Sequence, residues 1–199
     1  MTDLWTYENE IYDNGVKILC GVDEAGRGPL AGPVCAAAVI LPRNCVIEGL
    51  NDSKKLTEKK RETLYDVICE KAVSYGIAFA TVQEIEELNI LNATFLAMNR
   101  AISQLDVKPE LALIDGNRNS GIEMNSLCVV KGDGSCADIA AASVLAKVTR
   151  DRYMLKMAEK FPQYHFEQHK GYGTKLHYDA IRQYGPGEIH RMSFLRKMH

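Results

Sequence analysis

Five stretches of the chain carry the apolar spacing of strands. Lys17–Asp23 (KILCGVD) is one, and it stops at Gly26. Pro33–Leu41 is a second, rich in Val, Ile and small residues. Its length and flanking prolines favour a buried strand over a helix. Ser74–Val82 alternates as a third. Leu111–Ile114 and Leu127–Val130 are short runs that end in polar turns, Asp115-Gly116-Asn117 and Lys131-Gly132-Asp133-Gly134.

Helical spacing fills the intervals. Residues 3–13 form a short acidic helix, and Leu56–Ala72 opens on Thr57 as N-cap and repeats at Leu64, Val67 and Ile68. Glu84–Leu105 lines up Leu88, Leu91, Phe95, Met98 and Ile102 on one face. Ser135–Lys160 is a long helix closed by Phe161 and Pro162. Short helical pieces follow, broken by glycines and Pro186. The first three strands lie close enough to pair as a meander. The last two alternate with helices and add in parallel. The pattern predicts an α/β fold: a mixed central sheet flanked by helices over residues 1–160, then a small C-terminal helical lobe over 161–199.

Composition narrows the class. Of 199 residues, 46% are hydrophobic and 25% charged, which excludes a disordered chain. The longest apolar run, Val34–Leu41, falls well short of the roughly 20 residues of a membrane span. Asp3, Glu8, Glu10 and Asp13 give the N-terminus the wrong charge for a signal or transit peptide. A cytoplasmic protein is expected. Cysteines at 20, 35, 45, 69, 128 and 136 form no CxxC pair, so buried free thiols are expected. The net charge of −2 hides an asymmetry. Residues 1–133 hold 13 basic and 20 acidic side chains, a net of −7. Residues 134–199 hold 11 and 6, a net of +5, and all five histidines. The cationic end suits a nucleic-acid backbone.

Acidic residues recur at strand ends: Asp23 and Glu24, then Asp115, then Asp133. Each alone is ordinary turn chemistry. As a set at neighbouring strand ends they would converge, and converging carboxylates need a cation. With no His or Cys beside them, the cation is a hard one, Mg²⁺ or Mn²⁺. Two such ions suit phosphodiester hydrolysis. Adjacent strand residues face opposite ways, so Asp23 and Glu24 share a site only if the strand bends or ends there, and Gly26, Gly28 and Pro29 are expected to supply that break. Ser135-x-x-Asp138 fits a helix-capping pattern, which reads Asp138 as structural.

Gly26-Arg27-Gly28-Pro29-Leu30-Ala31 formally matches a dinucleotide-binding loop, G-x-G-x-x-A. That alternative, an oxidoreductase, is opposed by the acids before the loop and the strand pattern after it. Close backbone approach to a sugar-phosphate is the other use of such glycines, with Arg27 as a phosphate contact. Lys54, Lys55, Lys59, Lys60 and Arg61 form either a solvated helix face or a phosphate surface, with Lys54 and Lys55 the favoured contacts. Ser143, Lys147 and Arg150 share a helix face; the two cations either touch phosphate or form ion pairs, for instance with Asp151. The histidines read as surface or phosphate-facing groups.

The segment GVDEAGRGPLAGP at 21–33 closely resembles the signature of bacterial ribonuclease HII. Further blocks match that family in its order: DSKKL (52–56), IDGN (114–117), KGD (131–133), IAAASVLAKVTRD (139–151), KGYGT (170–174) and HRxSF (190–194). The resemblance spans Lys17 to Phe194. It implies a ribonuclease H-like fold, and an endonuclease for RNA in RNA–DNA hybrids that leaves 5′-phosphate and 3′-hydroxyl ends. It also implies incision 5′ to a single ribonucleotide in duplex DNA. The family's metal-binding acids fall on Asp23, Glu24, Asp115 and Asp133. Its loop that reads the 2′-hydroxyl through the backbone falls on Gly26, Arg27 and Gly28. Its tyrosine that stacks at the RNA–DNA junction falls on Tyr172. A monomer is expected, with a replication clamp as a candidate partner.

Overall fold

The computed structural model describes residues 4–196. Asp3 of the first predicted helix and His199 lie outside the described residues. Five strands form one sheet: β1 (Leu19–Ala25), β2 (Val34–Ile40), β3 (Ser74–Ala80), β4 (Leu111–Asp115) and β5 (Ser126–Val129), in the order β3-β2-β1-β4-β5. As predicted, β1, β2 and β3 form an antiparallel meander. β4 and β5 add in parallel beside β1. The helices are α1 (Thr6–Asp13), α2 (Glu58–Lys71), α3 (Val82–Ser103), α4 (Ala137–Lys160), α5 (Phe166–His169), α6 (Lys175–Tyr184) and α7 (Met192–Leu195).

The two faces of the sheet bury different layers. Cys20 and Val22 of β1 join Ala97 and Met98 of α3 in one apolar cluster, and Leu19 joins Ile139 of α4 in another. Odd-numbered β1 residues therefore face α4 and even-numbered ones face α3. α4 packs closest at Gly21. A Cβ built there would lie 2.2 Å from the main-chain carbon of Asp138 and the nitrogen of Ile139. Backbone cannot yield as a side-chain tip can. Gly21→Ala is expected to cost about 3 kcal/mol through this overpacking. Thermal unfolding would then show a midpoint lowered by about 6–12 °C.

Helix starts follow local chemistry. Thr57 caps α2 through Lys60 N–H, as expected. α3 starts at Val82, two residues before the expected position, because Thr81 and Glu84 close a reciprocal capping box. Asp138 is structural but not as a Ser135–Asp138 cap. The N-cap of α4 is Cys136, without a side-chain bond. The carboxylate of Glu8 instead accepts the Asp138 N–H at 3.0 Å, and Asp138 Oδ1 accepts the Leu41 N–H at 2.8 Å. Both acids are fully buried, so α1 is fastened to the start of α4.

Past Lys160 the chain folds back under the loop after β1. Met154 and Ala158 of α4, Ala31, Tyr164, Phe166, Ala180 and Ile189 share one apolar cluster. The histidines here depart from the surface placement expected of them. His169, His177 and His190 are buried against Tyr164 and Phe166. The His169 and His177 rings stack with centroids 4.4 Å apart. Burial comes first among the causes that push the pKa of all three down, and it brings His177 to about 4. The rings are neutral near pH 7, and neutral imidazole can replace water partners with protein ones. All six cysteines are free; Cys20, Cys35 and Cys136 are buried and the other three partly so.

Candidate active site

β1 keeps its antiparallel pairing with β2 as far as Ala25, but its parallel pairing with β4 ends at Val22 opposite Ile114. The carboxyl ends of β1 and β4 therefore splay apart at Asp23 and Asp115. Both residues are odd-numbered and project to the α4 side. There the 3₁₀ turn Gly132–Gly134, which leads into α4, brings up Asp133. The turn is held by Asp115, whose Oδ1 accepts the Gly132 N–H at 2.7 Å.

Asp23, Asp115 and Asp133 each present a carboxylate oxygen within 4.8 Å of the other two. Asp23 and Asp133 are buried. Burial, then Glu24 and Asp115, raises the Asp23 pKa well above the usual carboxylate range. Burial and Asp115 also raise that of Asp133, against the pull of Lys54. The Lys54 ammonium stands 3.3 Å from Asp133 Oδ2, with its side chain 73% exposed. Burial lowers its pKa, but Asp23 and Asp133 outweigh that and raise it. One exposed ammonium does not balance three acids. The cluster is an all-oxygen donor set short of positive charge, which fits a hard divalent cation.

Glu24 stands apart from this triad. It lies on the α3 side and its Oε1 pairs with Arg27 Nη1 at 3.3 Å. It shares a cavity of about 370 Å³ with Asp115, Phe95, Met98, Asn117 and Arg118. The strand does not bend early enough to turn both acids to one face. Burial raises the Glu24 pKa and Arg27 opposes the rise.

The remaining predicted residues fall into two groups. Asp52 caps the turn Ser53–Lys55 by accepting the Lys54 N–H, and Ser53 Oγ meets Ser143 Oγ of α4 at 2.7 Å. This seats Lys54 over Asp133 and leaves Lys55 on the rim, 3.8 Å from Asp52. Gly26, Arg27 and Gly28 follow β1 directly. A Cβ built on Gly28 would lie 3.7 Å from Tyr172 Cε1, so the loop and that half-exposed ring are neighbours. Lys147 forms the ion pair with Asp151 that stood as the alternative to a phosphate contact, and Arg150 is buried out of reach of one. Lys147 Nζ is 2.7 Å from Asp151. Arg150 is fully buried and donates to the carbonyls of Ala31, Pro33 and Lys170. Arg191, which sequence reasoning passes over, is equally buried and bonds the same loop. Its place in the HRxSF block is the signal that was available.

The dinucleotide alternative fails on this geometry. The loop leads into the antiparallel strand β2 and not into a helix whose N-terminus could hold a pyrophosphate.

The family model described as ribonuclease HII matches residues 20–197. The chain belongs to the ribonuclease HII family. It is 50% identical over 191 residues to the ribonuclease HII of Caldicellulosiruptor bescii, covering 96% of this chain and 93% of the relative. The crystal structure of ribonuclease H2 from Pyrococcus horikoshii superposes with a TM-score of 0.75 at 27% identity, over 92% of this chain and 97% of that one. A Bst ribonuclease HIII solved in complex with Mn²⁺ shares the fold, with a TM-score of 0.71 at 20% identity over 87% of this chain and 65% of that one. The protein is therefore an endonuclease of the ribonuclease H type, acting on RNA–DNA hybrids with a divalent metal. Among the described residues, no helix is long and apolar enough to cross a membrane.

Proposed function

We propose that this ribonuclease HII incises duplex DNA on the 5′ side of an embedded ribonucleotide, besides cutting RNA in hybrids. The ends are 5′-phosphate and 3′-hydroxyl, as ribonucleotide excision and primer removal require. The observation that carries this reading is the adjacency of the Gly26–Gly28 backbone and the Tyr172 ring, next to the acidic triad.

Asp23, Asp115 and Asp133 are the residues that would hold Mn²⁺ or Mg²⁺, with Glu24, which shares a cavity with Asp115, as a further oxygen donor from the other side of β1. Two ions so held would polarise the scissile phosphate and strengthen water as the nucleophile. That a related fold was solved with Mn²⁺ supports the choice of ion. The protein itself does the positioning. Without side chains, Gly26 and Gly28 let the backbone approach a ribose, where amide N–H groups can meet its 2′-hydroxyl. Tyr172 offers a flat face that favours a deoxyribose after that ribose. Lys54, Lys55 and Arg27 line the rim as phosphate donors. Residues 161–199 serve as a cationic substrate-binding lobe of a cytoplasmic monomer.

An end-labelled DNA duplex containing one ribonucleotide tests the reading. Incubated with enzyme and Mn²⁺, it is expected to give a single nick at the phosphodiester 5′ to the ribonucleotide. A nick on the 3′ side, or hybrid cleavage with an intact single-ribonucleotide duplex, would contradict it.

A further inference from the structure

The Gly26–Gly28 loop and Tyr172 sit far apart in sequence, yet they are neighbours, with a Cβ built on Gly28 only 3.7 Å from the tyrosine ring. Two buried networks hold them together. Arg191 donates Nε to Gly32 O at 2.8 Å, Nη1 to Arg27 O at 3.0 Å and Nη2 to Gly26 O at 2.6 Å. Arg150 donates to Pro33 O, Ala31 O and Lys170 O, each at 3.0 Å. Its side chain fills the space where Gly26 would carry a Cβ, only 2.0 Å from Nε, and Gly26 has φ +99°. Among the described residues neither guanidinium has a carboxylate within ion-pair distance. A buried cation without an anion is costly and needs every carbonyl it can reach.

The direction of those carbonyls has a consequence. Across a planar trans peptide, C=O of one residue and N–H of the next point opposite ways. Arg191 draws the Gly26 and Arg27 carbonyls inward. The Arg27 and Gly28 N–H groups are thereby turned outward, and among the described residues neither donates to a protein acceptor.

The second network ends on Tyr172. Its carbonyl can only accept, so His177 Nδ1, at 2.9 Å, must carry the proton. In a neutral ring, His177 Nε2 is then an acceptor. His190 Nε2, 3.0 Å away, must donate to it. His190 Nδ1 in turn accepts the Gly187 N–H at 2.9 Å. The Tyr172 carbonyl thus sets both tautomers of the neutral pair, and in that state His190 Nδ1 accepts from Gly187 N–H and does not bond Gly187 O, 3.2 Å away. Leu30 N–H donates to Gly171 O at 2.8 Å and joins the two segments directly.

We propose that Arg191 and His177 are positioning residues that hold the outward amides of the Gly26–Gly28 loop at a fixed spacing from Tyr172, and that this spacing sets selectivity for a ribonucleotide followed by DNA. The inference rests on the functional reading above. A single ribonucleotide in DNA needs both contacts in register. A uniform hybrid offers no deoxyribose after the ribose and depends on the spacing less.

The test compares kcat/KM on a single-ribonucleotide duplex and on a uniform RNA–DNA hybrid, for wild type, His177→Phe, His177→Asn and Arg191→Lys. Phe keeps a buried ring but has no donor for the Tyr172 carbonyl. Asn places an N–H near the Nδ1 position. Lys keeps the charge but gathers its three donors on one nitrogen, and so cannot reproduce the fork by which Nε, Nη1 and Nη2 each meet a different carbonyl. His177→Phe and Arg191→Lys are expected to lower the single-ribonucleotide to hybrid ratio by about tenfold, the scale of a sub-ångström misplacement. His177→Asn is expected to recover most of the ratio. Loss on both substrates by the same factor, or no recovery with Asn, would overturn the positioning role. If His177→Phe fails to fold, the Arg191→Lys ratio decides alone. A wild type that cuts the hybrid and leaves the single ribonucleotide intact would overturn the functional reading and this proposal with it. A wild type that nicks both, with variants that keep its ratio, would overturn the proposal alone.

Discussion

Asp23→Asn or Asp115→Asn abolishes cleavage, lowering turnover by about 10³-fold or more, while the protein still folds. The loss is of the order seen when a group that stabilises transition-state charge is removed. Each change takes one anionic oxygen pair from a triad whose ligand atoms lie within 4.8 Å. The amide is close in size, so packing around β1 and β4 survives. Metal-free stability should move the other way for Asp23. Burial, then Glu24 and Asp115, raises its pKa in the fold above the ordinary 3.8. A raised folded pKa means that protonation favours the fold. That stabilisation is complete below the unfolded value and is lost as pH rises through the folded one. Wild-type protein stripped of metal should therefore melt lower as pH rises through that window, and Asp23→Asn should lose this part of the slope. A variant with near wild-type turnover would remove the triad from the chemistry.

Tyr172→Ala is the second large effect. Its ring is half exposed, 44%, and lies beside Gly28. Stacking of an aromatic ring on a nucleotide is worth about 1–3 kcal/mol, which converts to about fivefold to 150-fold in rate. The loss should fall on single-ribonucleotide duplexes and spare uniform hybrids. Removing an exposed lysine remote from the site should weaken both substrates alike. The comparison of the two substrates under single-turnover conditions checks this. Equal losses from Tyr172→Ala on both would remove its junction role.

Much of the fold could be read from the chain because its strands are nearly continuous apolar runs. β2 is buried along its whole length, and Pro33 marks its start. The helix α3 ahead of β4 pointed to its parallel addition, whereas β5 follows β4 through residues 116–125 with no helix between, so its direction was not legible from the pattern. The acidic site was legible in outline, since strand-end acids meet where a sheet splays. Alternation also offered its division, with Asp23 and Glu24 on opposite faces, but how far β1 runs straight depends on β2, a partner outside the local sequence.

The buried cations and imidazoles were harder to read for a different reason. Arg150 and Arg191 look like surface residues by type. Their partners are carbonyls of distant loops, and a carbonyl leaves no mark on the sequence. Asp138 likewise depends on Glu8 and Leu41 from the far side of the chain. The histidines did leave a trace. His177, Ala180 and Ile181 are the buried residues of α6, and their spacing is that of a helix's inner face. Reading His177 as part of an apolar stripe would have placed it inside. The start of α3 was also within reach, because Thr81-Val-Gln-Glu84 spells a capping box.

The central claim is that the carboxylates of Asp23, Asp115 and Asp133 hold the divalent ions on which phosphodiester cleavage depends. The most direct measurement is the nicking rate of metal-stripped enzyme on a single-ribonucleotide duplex as Mn²⁺ is added back, with Asp115→Asn alongside. Wild type should be silent under chelator and recover fully with Mn²⁺, while Asp115→Asn stays silent throughout the titration. Nicking that persists in the chelator, or an Asp115→Asn enzyme that recovers with the wild-type metal dependence, would contradict the account.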